Sequence, residues 1–164
     1  MNTSMLNFYL QPHIQQMLEK LHEARAQHKV VVLASGVFDL FHQEHANYLR
    51  AAKRAGDILV VAIESNARTH ELKGENRPVH DEVKRLADVH KISEVDYAFI
   101  LPEDFHTEKA YEELVIQLKP NLYAVSSHSD HQKNKRVLME KHGGKVVVVH
   151  EYNPHVSTTK TLQE

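Results

Sequence analysis

At 164 residues with no cysteine, the chain has room for one substantial core and is barred from thiol catalysis, disulfides and cysteine-based zinc sites. Its 20 Lys+Arg nearly balance 22 Asp+Glu, so nothing marks it as a general nucleic-acid binder. No apolar run is long enough to span a membrane, and Met1 to Gln11 lacks the basic-then-apolar layout of a signal peptide. A cytoplasmic protein without membrane or nucleic-acid partners is expected.

In chain order, residues 12 to 27 read as a helix, with Pro12 suited to its first turn and Ile14, Leu18 and Leu21 on one apolar face. Residues 1–28 form an N-terminal extension. Its helix either covers the sheet edge or a partner subunit, or serves as a lid over the acceptor substrate. Residues 29–164 form the main domain. The β-branched run ending at Ser35 is a buried strand, stopped by Gly36. A helix from about His42 to Ala55 follows, with Gly56 at its C′ position. Residues 57–64 make a second buried strand, and this succession predicts a right-handed βαβ unit in a parallel sheet.

Ligands of such a sheet bind beyond the carboxyl ends of its strands. There, His42 and His45 sit three apart where the helix begins, on one face of its first turn. Free backbone N–H groups and the positive end of the helix dipole converge on the same spot, so this turn suits a phosphate.

Ser65 to Val79 is polar and punctuated by Gly74 and Pro78, which reads as a loop carrying Lys73 and Arg77. Residues 80–91 form a helix bearing Arg85, and residues 96–101 a third strand. A helix over 107–119 ends at Pro120, a fourth strand covers 121–126, a helix covers 130–142, and a last strand runs over 145–149. Ser157, Thr158 and Thr159 are favoured residues for starting a helix. Fourteen histidines are many for this length, and His128-x-x-His131 has a spacing that suits chelation.

The segment Gly36-Val37-Phe38-Asp39-Leu40-Phe41-His42-Gln43-Glu44-His45 resembles the signature of the cytidylyltransferase-like nucleotidyltransferases, the HxGH superfamily. That signature is a hydrophobic strand followed by G-x-F-D-x-x-H-x-G-H. Every marked position matches except the glycine between the histidines, which is Glu44 here. Leu72-Lys73-Gly74-Glu75-Asn76-Arg77-Pro78-Val79 is closest in wording to the domain that adenylylates heptose 1-phosphate. The single-domain length resembles glycerol-3-phosphate cytidylyltransferase instead. Arg85 occupies the place of the family's helix arginine, and His155-Val156-Ser157-Thr158-Thr159 resembles its I-S-T-T motif. Together the matches run from about residue 29 to 162. Two departures accompany Glu44: Ser126 to His131 lacks the family's glycines, and Tyr152 stands where an arginine often does.

The resemblance implies an α/β fold, a Rossmann-like five-stranded parallel sheet with helices on both faces plus the extra N-terminal helix. It also implies transfer of AMP or CMP from ATP or CTP to a phosphorylated sugar or polyol, releasing pyrophosphate. His42, His45, Lys73 and Arg85 would be catalytic. Gly36, Val37, Phe38, Ser157, Thr158 and Thr159 would bind the nucleotide, and Asp39 and Arg77 the acceptor. Mg2+ would arrive on the nucleotide phosphates rather than in a protein cage, and a homodimer is expected. For Arg85, a β- or γ-phosphate and an acid on its own helix are both open as partners. Asp39 would either orient its loop or touch the acceptor.

Glu44 is the obstacle. A carboxylate about 5 Å from a phosphate charge opposes it by about 3 kcal/mol at an effective dielectric of ~20. On a helix its side chain projects away from both histidines. The rival readings are a nucleotide-binding protein with impaired catalysis and a histidine-rich metal binder on the same scaffold.

Overall fold

The computed structural model describes residues 1–151, 153 and 155. Five parallel strands form one sheet in the order β3-β2-β1-β4-β5: β1 (Val31–Gly36), β2 (Ile58–Ile63), β3 (Tyr97–Ile100), β4 (Leu122–Ser126) and β5 (Lys145–His150). Runs such as Ile58-Leu59-Val60-Val61-Ala62-Ile63 suit strands buried on both faces, because β-branched side chains pack well on a pleated surface. The predicted Rossmann-like fold is the one observed.

Helices cover both faces. α3 (Gln43–Arg54) and α5 (Glu82–His90) pack on Val32, Ala34, Leu59, Val61, Ile63 and Ala124. α6 (Glu108–Leu118) and α7 (Gln132–Lys141) share the other core with Leu33, Val60, Ala62, Phe99 and Tyr123. Two N-terminal helices, α1 (Thr3–Tyr9) and α2 (Pro12–Ala26), join that second core through Met5, Phe8, Tyr9, Ile14, Met17 and Leu21. Phe8 meets Phe99 with ring centroids 5.5 Å apart, and the Arg25 guanidinium donates to the Leu118 carbonyl at 2.8 Å. The extension therefore packs on one face of the sheet and not only along its edge.

Three local expectations are corrected. The segment after β2 is not all loop: α4 (Asn66–Lys73) forms there, started by the Ser65 hydroxyl accepting from the Arg68 amide at 3.1 Å. α4 buries only Thr69, so it lacks the apolar stripe by which a helix is read from sequence. α1 is likewise unexpected; Asn2 caps it, and Met5, Phe8 and Tyr9 form its buried face. Gly56 does follow α3, but not in a left-handed conformation. A Cβ there would lie 2.6 Å from the Val32 side chain and 2.9 Å from the Val30 carbonyl, so close packing requires the glycine.

Strand order reverses at β1, whose neighbours β2 and β4 lead to opposite halves of the sheet. Pairing of β1 with β4 runs only from Val32↔Leu122 to Leu33↔Tyr123. Beyond it the carboxyl ends of the two strands are unpaired with each other, and a crevice is expected where they part. The predicted histidines lie at this end.

Candidate active site

β1 ends at Gly36, and the turn to α3 is held by a buried carboxylate. Asp39 accepts from the amides of Val79 and His80 and from Arg77 Nε, each at 2.8 Å, and from its neighbour Leu40 at 3.0 Å. Burial alone would raise this carboxyl. The amides of His80 and Val79 and the Arg77 guanidinium outweigh it and hold the group below its usual range. Phe38 and Leu40, on either side of Asp39, are left-handed (φ 55° and 47°), a conformation that non-glycine residues hold only where the surroundings enforce it.

α3 is fixed over this turn by the Tyr48 hydroxyl, which donates to the Ala124 carbonyl at 2.7 Å. Its N-cap is His42, and the His42 and His45 rings stack with centroids 3.9 Å apart and planes 15° apart. The His42 amide donates to His45 Nδ1 at 3.3 Å. That nitrogen is therefore the unprotonated one, and neutral His45 carries its hydrogen on Nε2. Burial, aided by the neighbouring His42, pushes the His45 pKa down to about 3, so the ring is a neutral donor at physiological pH. Burial also lowers His42, against the pull of Glu44, and His42 Nδ1 is buried without a partner among the described residues. The first amides of α3, which follow this cap, lack acceptors within the helix, as at any helix start.

Glu44 does not occupy the turn. Its Oε1 accepts from Asn47 at 3.1 Å, and its Oε2 meets His150 Nε2 at 2.8 Å, at the end of β5. A cleft of about 660 Å³ opens beside His42, lined also by Phe41, Gln43, Arg50, His80 and Lys84.

The remaining expected site residues divide as follows. Gly36, Val37 and Phe38 form the turn itself. A Cβ on Gly36 would lie 3.1 Å from the Phe38 ring. Asp39 and Arg77 come together as an ion pair whose side chains are 0% and 11% exposed, so they brace the loop. Lys73 is exposed at the C-terminal end of α4.

Arg85 departs from both of its expected roles. Completely buried, it donates to the carbonyls of His80 (3.0 Å), Val37 (2.7 Å) and Glu64 (2.7 Å) and to Asn66 Oδ1 (3.1 Å). Five planar N–H donors suit a residue that ties loops together, and the structure gives it neither an acid on its own helix nor an exposed head. Ser157, Thr158, Thr159 and Tyr152 lie outside the described residues. Among the described residues no group of three or more His, Asp or Glu converges in a way that could hold a metal ion. No described helix is long and apolar enough to cross a membrane.

One feature went unread in the sequence. Glu64, which follows β2 directly, is buried beside Gly36, its amide donating to the Gly36 carbonyl at 3.0 Å. The available signal was a carboxylate closing an apolar run at the ligand-binding end of the sheet.

Comparison with known proteins agrees with this geometry. The cytidylyltransferase-like family model matches residues 33–164. A bifunctional protein HldE of Pseudomonas fluorescens (strain SBW25) is 33% identical over 137 residues, covering 83% of this chain and 28% of the relative. Another, of Desulfatibacillum aliphaticivorans, is 28% identical over 152 residues, covering 92% and 30%. The chain thus spans under a third of the length of these relatives. Among solved structures, a lipopolysaccharide core biosynthesis protein from Thermoplasma volcanium GSS1 superposes with TM-score 0.64 at 27% identity, covering 76% of this chain and 99% of that one. Pantothenate synthetase from Thermus thermophilus shares the fold at TM-score 0.55 and 12% identity, covering 89% and 68%. With a family model matched over most of its length and a stacked histidine pair at the start of the helix that follows its first strand, the chain belongs to the cytidylyltransferase-like family.

Proposed function

We propose that the chain transfers an AMP or CMP moiety from ATP or CTP to the phosphate of a sugar or polyol phosphate. An oxygen of the acceptor phosphate bonds to the α-phosphorus. The bond from that phosphorus to the bridging oxygen breaks, and its electron pair leaves with pyrophosphate. No covalent enzyme intermediate is needed, so positioning and charge stabilisation supply the acceleration.

The observation that carries this reading is the His45 tautomer. An imidazole kept neutral by burial, with its hydrogen on Nε2, is a ready donor to an oxygen that gains charge. In this reading His42 and the first amides of α3 hold the α-phosphate, and the turn at Gly36 to Phe38 lets the nucleotide approach the backbone. Lys73 at the exposed end of α4 meets the outer phosphates, with Ser157, Thr158 and Thr159 assigned to the same group. Asp39, Arg77 and Arg85 act on the turn and not on substrate.

For Mg2+, the donor set near the turn does not form a cage: the Asp39 carboxylate is engaged by Arg77 and two amides, and that of Glu44 by Asn47 and His150. The ion belongs to the triphosphate, and no step of this mechanism runs through a protein-held metal.

The loop wording, and relatives named for lipopolysaccharide core biosynthesis and HldE, support a sugar phosphate as acceptor. The test is pyrophosphate release from each of four nucleoside triphosphates in the presence of sugar and polyol phosphates, with His45→Ala as control. Release with ATP or CTP that depends on the acceptor and on His45 is expected. Triphosphate binding with no release in any combination would leave a nucleotide-binding protein without catalysis.

A further inference from the structure

Glu64 lies on the sheet face covered by α6 and α7, across the sheet from the histidines of α3. It is 7% exposed. One carboxylate oxygen, Oε1, accepts from the Tyr111 hydroxyl at 3.1 Å; the other, Oε2, is buried with no hydrogen-bond partner among the described residues. Buried carboxylate oxygens are normally satisfied, because leaving one unmade is costly.

Arg68, Lys135 and Arg85 act on this carboxylate through their charge, and among the described residues none of them hydrogen-bonds it. Arg68 Nη1 is held by Glu71 at 2.9 Å, while Arg68 Nε is buried and also unpartnered among the described residues. Lys135 Nζ lies 4.9 Å from the Tyr123 ring centroid and donates to Ser129 Oγ at 3.2 Å. Arg85 is engaged by carbonyls and Asn66. Burial raises the Glu64 carboxyl, opposed by Tyr111, Arg68, Lys135 and Arg85; burial lowers Lys135, opposed by Glu64 and Asp130. The groups feel one another's charge, yet among the described residues no ion pair joins Glu64 to Arg68, Lys135 or Arg85. An orphaned acceptor, an orphaned donor and an ammonium thus gather at the carboxyl ends of β2 and β4, with the Ser35–Tyr123 hydroxyl pair (2.5 Å) beside them.

We propose that this cluster seats a polyhydroxylated phosphate monoester, with a hydroxyl donating to Glu64 Oε2 and the phosphate met by Lys135 and Arg68 Nε. Its role as acceptor rests on the nucleotidyl-transfer reading. It fits that reading because Glu64 pairs through its amide with the Gly36 carbonyl, which puts the cluster at the same carboxyl end of the sheet as the histidine turn, on the other face. A ligand with both a hydroxyl donor and an anionic head satisfies groups that inorganic phosphate alone leaves unpaired.

The test is equilibrium binding of glucose 1-phosphate, ribose 5-phosphate, glycerol 3-phosphate and inorganic phosphate to the full chain and to Glu64→Gln and Lys135→Gln, with thermal unfolding to verify folding. At least one sugar ester is expected to bind more tightly than inorganic phosphate. Glu64→Gln should erase that advantage, a loss of about ten- to a hundredfold, and leave inorganic phosphate unchanged; Lys135→Gln should weaken both. Esters that bind no better than inorganic phosphate, or that ignore Glu64→Gln, overturn the proposal and make the site one for a buried water. Pyrophosphate release separates the two readings. Esters that bind as expected without any release keep the proposed cluster and overturn catalysis. Release whose ester KM ignores Glu64→Gln keeps catalysis and overturns the cluster.

Discussion

Glu44 Oε2 and His150 Nε2 lie 2.8 Å apart across 106 positions of sequence, tying the first turn of α3 to the end of β5. The acid that replaces the family glycine thereby acquires a partner that holds it away from the histidine turn.

His150→Ala releases that acid beside the histidines. Triphosphate binding is expected to weaken by about tenfold, well inside the ~3 kcal/mol that an unscreened carboxylate at about 5 Å would impose. In a Glu44→Gly background the same substitution should change binding little. A double-mutant cycle on the triphosphate Kd measures this, and equal losses in both backgrounds would refute the tie.

His45→Ala removes the Nε2 donor and is expected to lower kcat by about a hundred- to a thousandfold, with triphosphate Kd changed far less. A second signature is acid stability. The unfolded imidazole takes up a proton near its ordinary value of 6.5, the folded one only near 3. Its contribution is complete above pH 6.5 and declines as pH falls toward 3, by at most about 1.4 kcal/mol per pH unit. Urea titrations from neutral pH into the acid range should show a shallower decline in His45→Ala than in the parent chain.

Asp39→Ala strips three amides and the Arg77 guanidinium of one shared partner, at an expected cost of about 3–5 kcal/mol in stability. Arg77→Met leaves the carboxylate its amides and should cost less, about 1–3 kcal/mol. The two urea midpoints give the order directly, and a reversed order would show that the loop is held from the arginine side.

Deleting residues 1–27 uncovers the sheet face on which Phe8, Ile14 and Leu21 are buried. Exposed apolar surface on this scale drives aggregation, so the shortened chain should be insoluble or lack a cooperative thermal transition. Leu21→Ala, within the intact chain, should cost about 2–5 kcal/mol. A monomeric, cooperatively folding 28–164 fragment would show that the extension is dispensable.

The strands were legible in the sequence because apolar β-branched runs leave few alternatives, and the histidine turn because two imidazoles at a helix start are conspicuous. α4 was not, since its single buried residue gives no period to detect. Arg85 shows a different limit. Its place on α5 was correctly read, yet whether a guanidinium faces solvent or backbone depends on Val37 and Glu64, which only the folded sheet brings together. The same holds for Glu44 with His150 and for Glu64 with Tyr111, where each carboxylate finds its neighbour on an element far along the chain.

One guanidinium grips the backbone oxygens of both Val37 and Glu64, so the segment under the imidazoles and the segment that bears the orphaned carboxylate are tied at a single residue. If nucleotide and acceptor bind as proposed, Arg85 is the common anvil beneath both, and loosening it would disturb the two sites together.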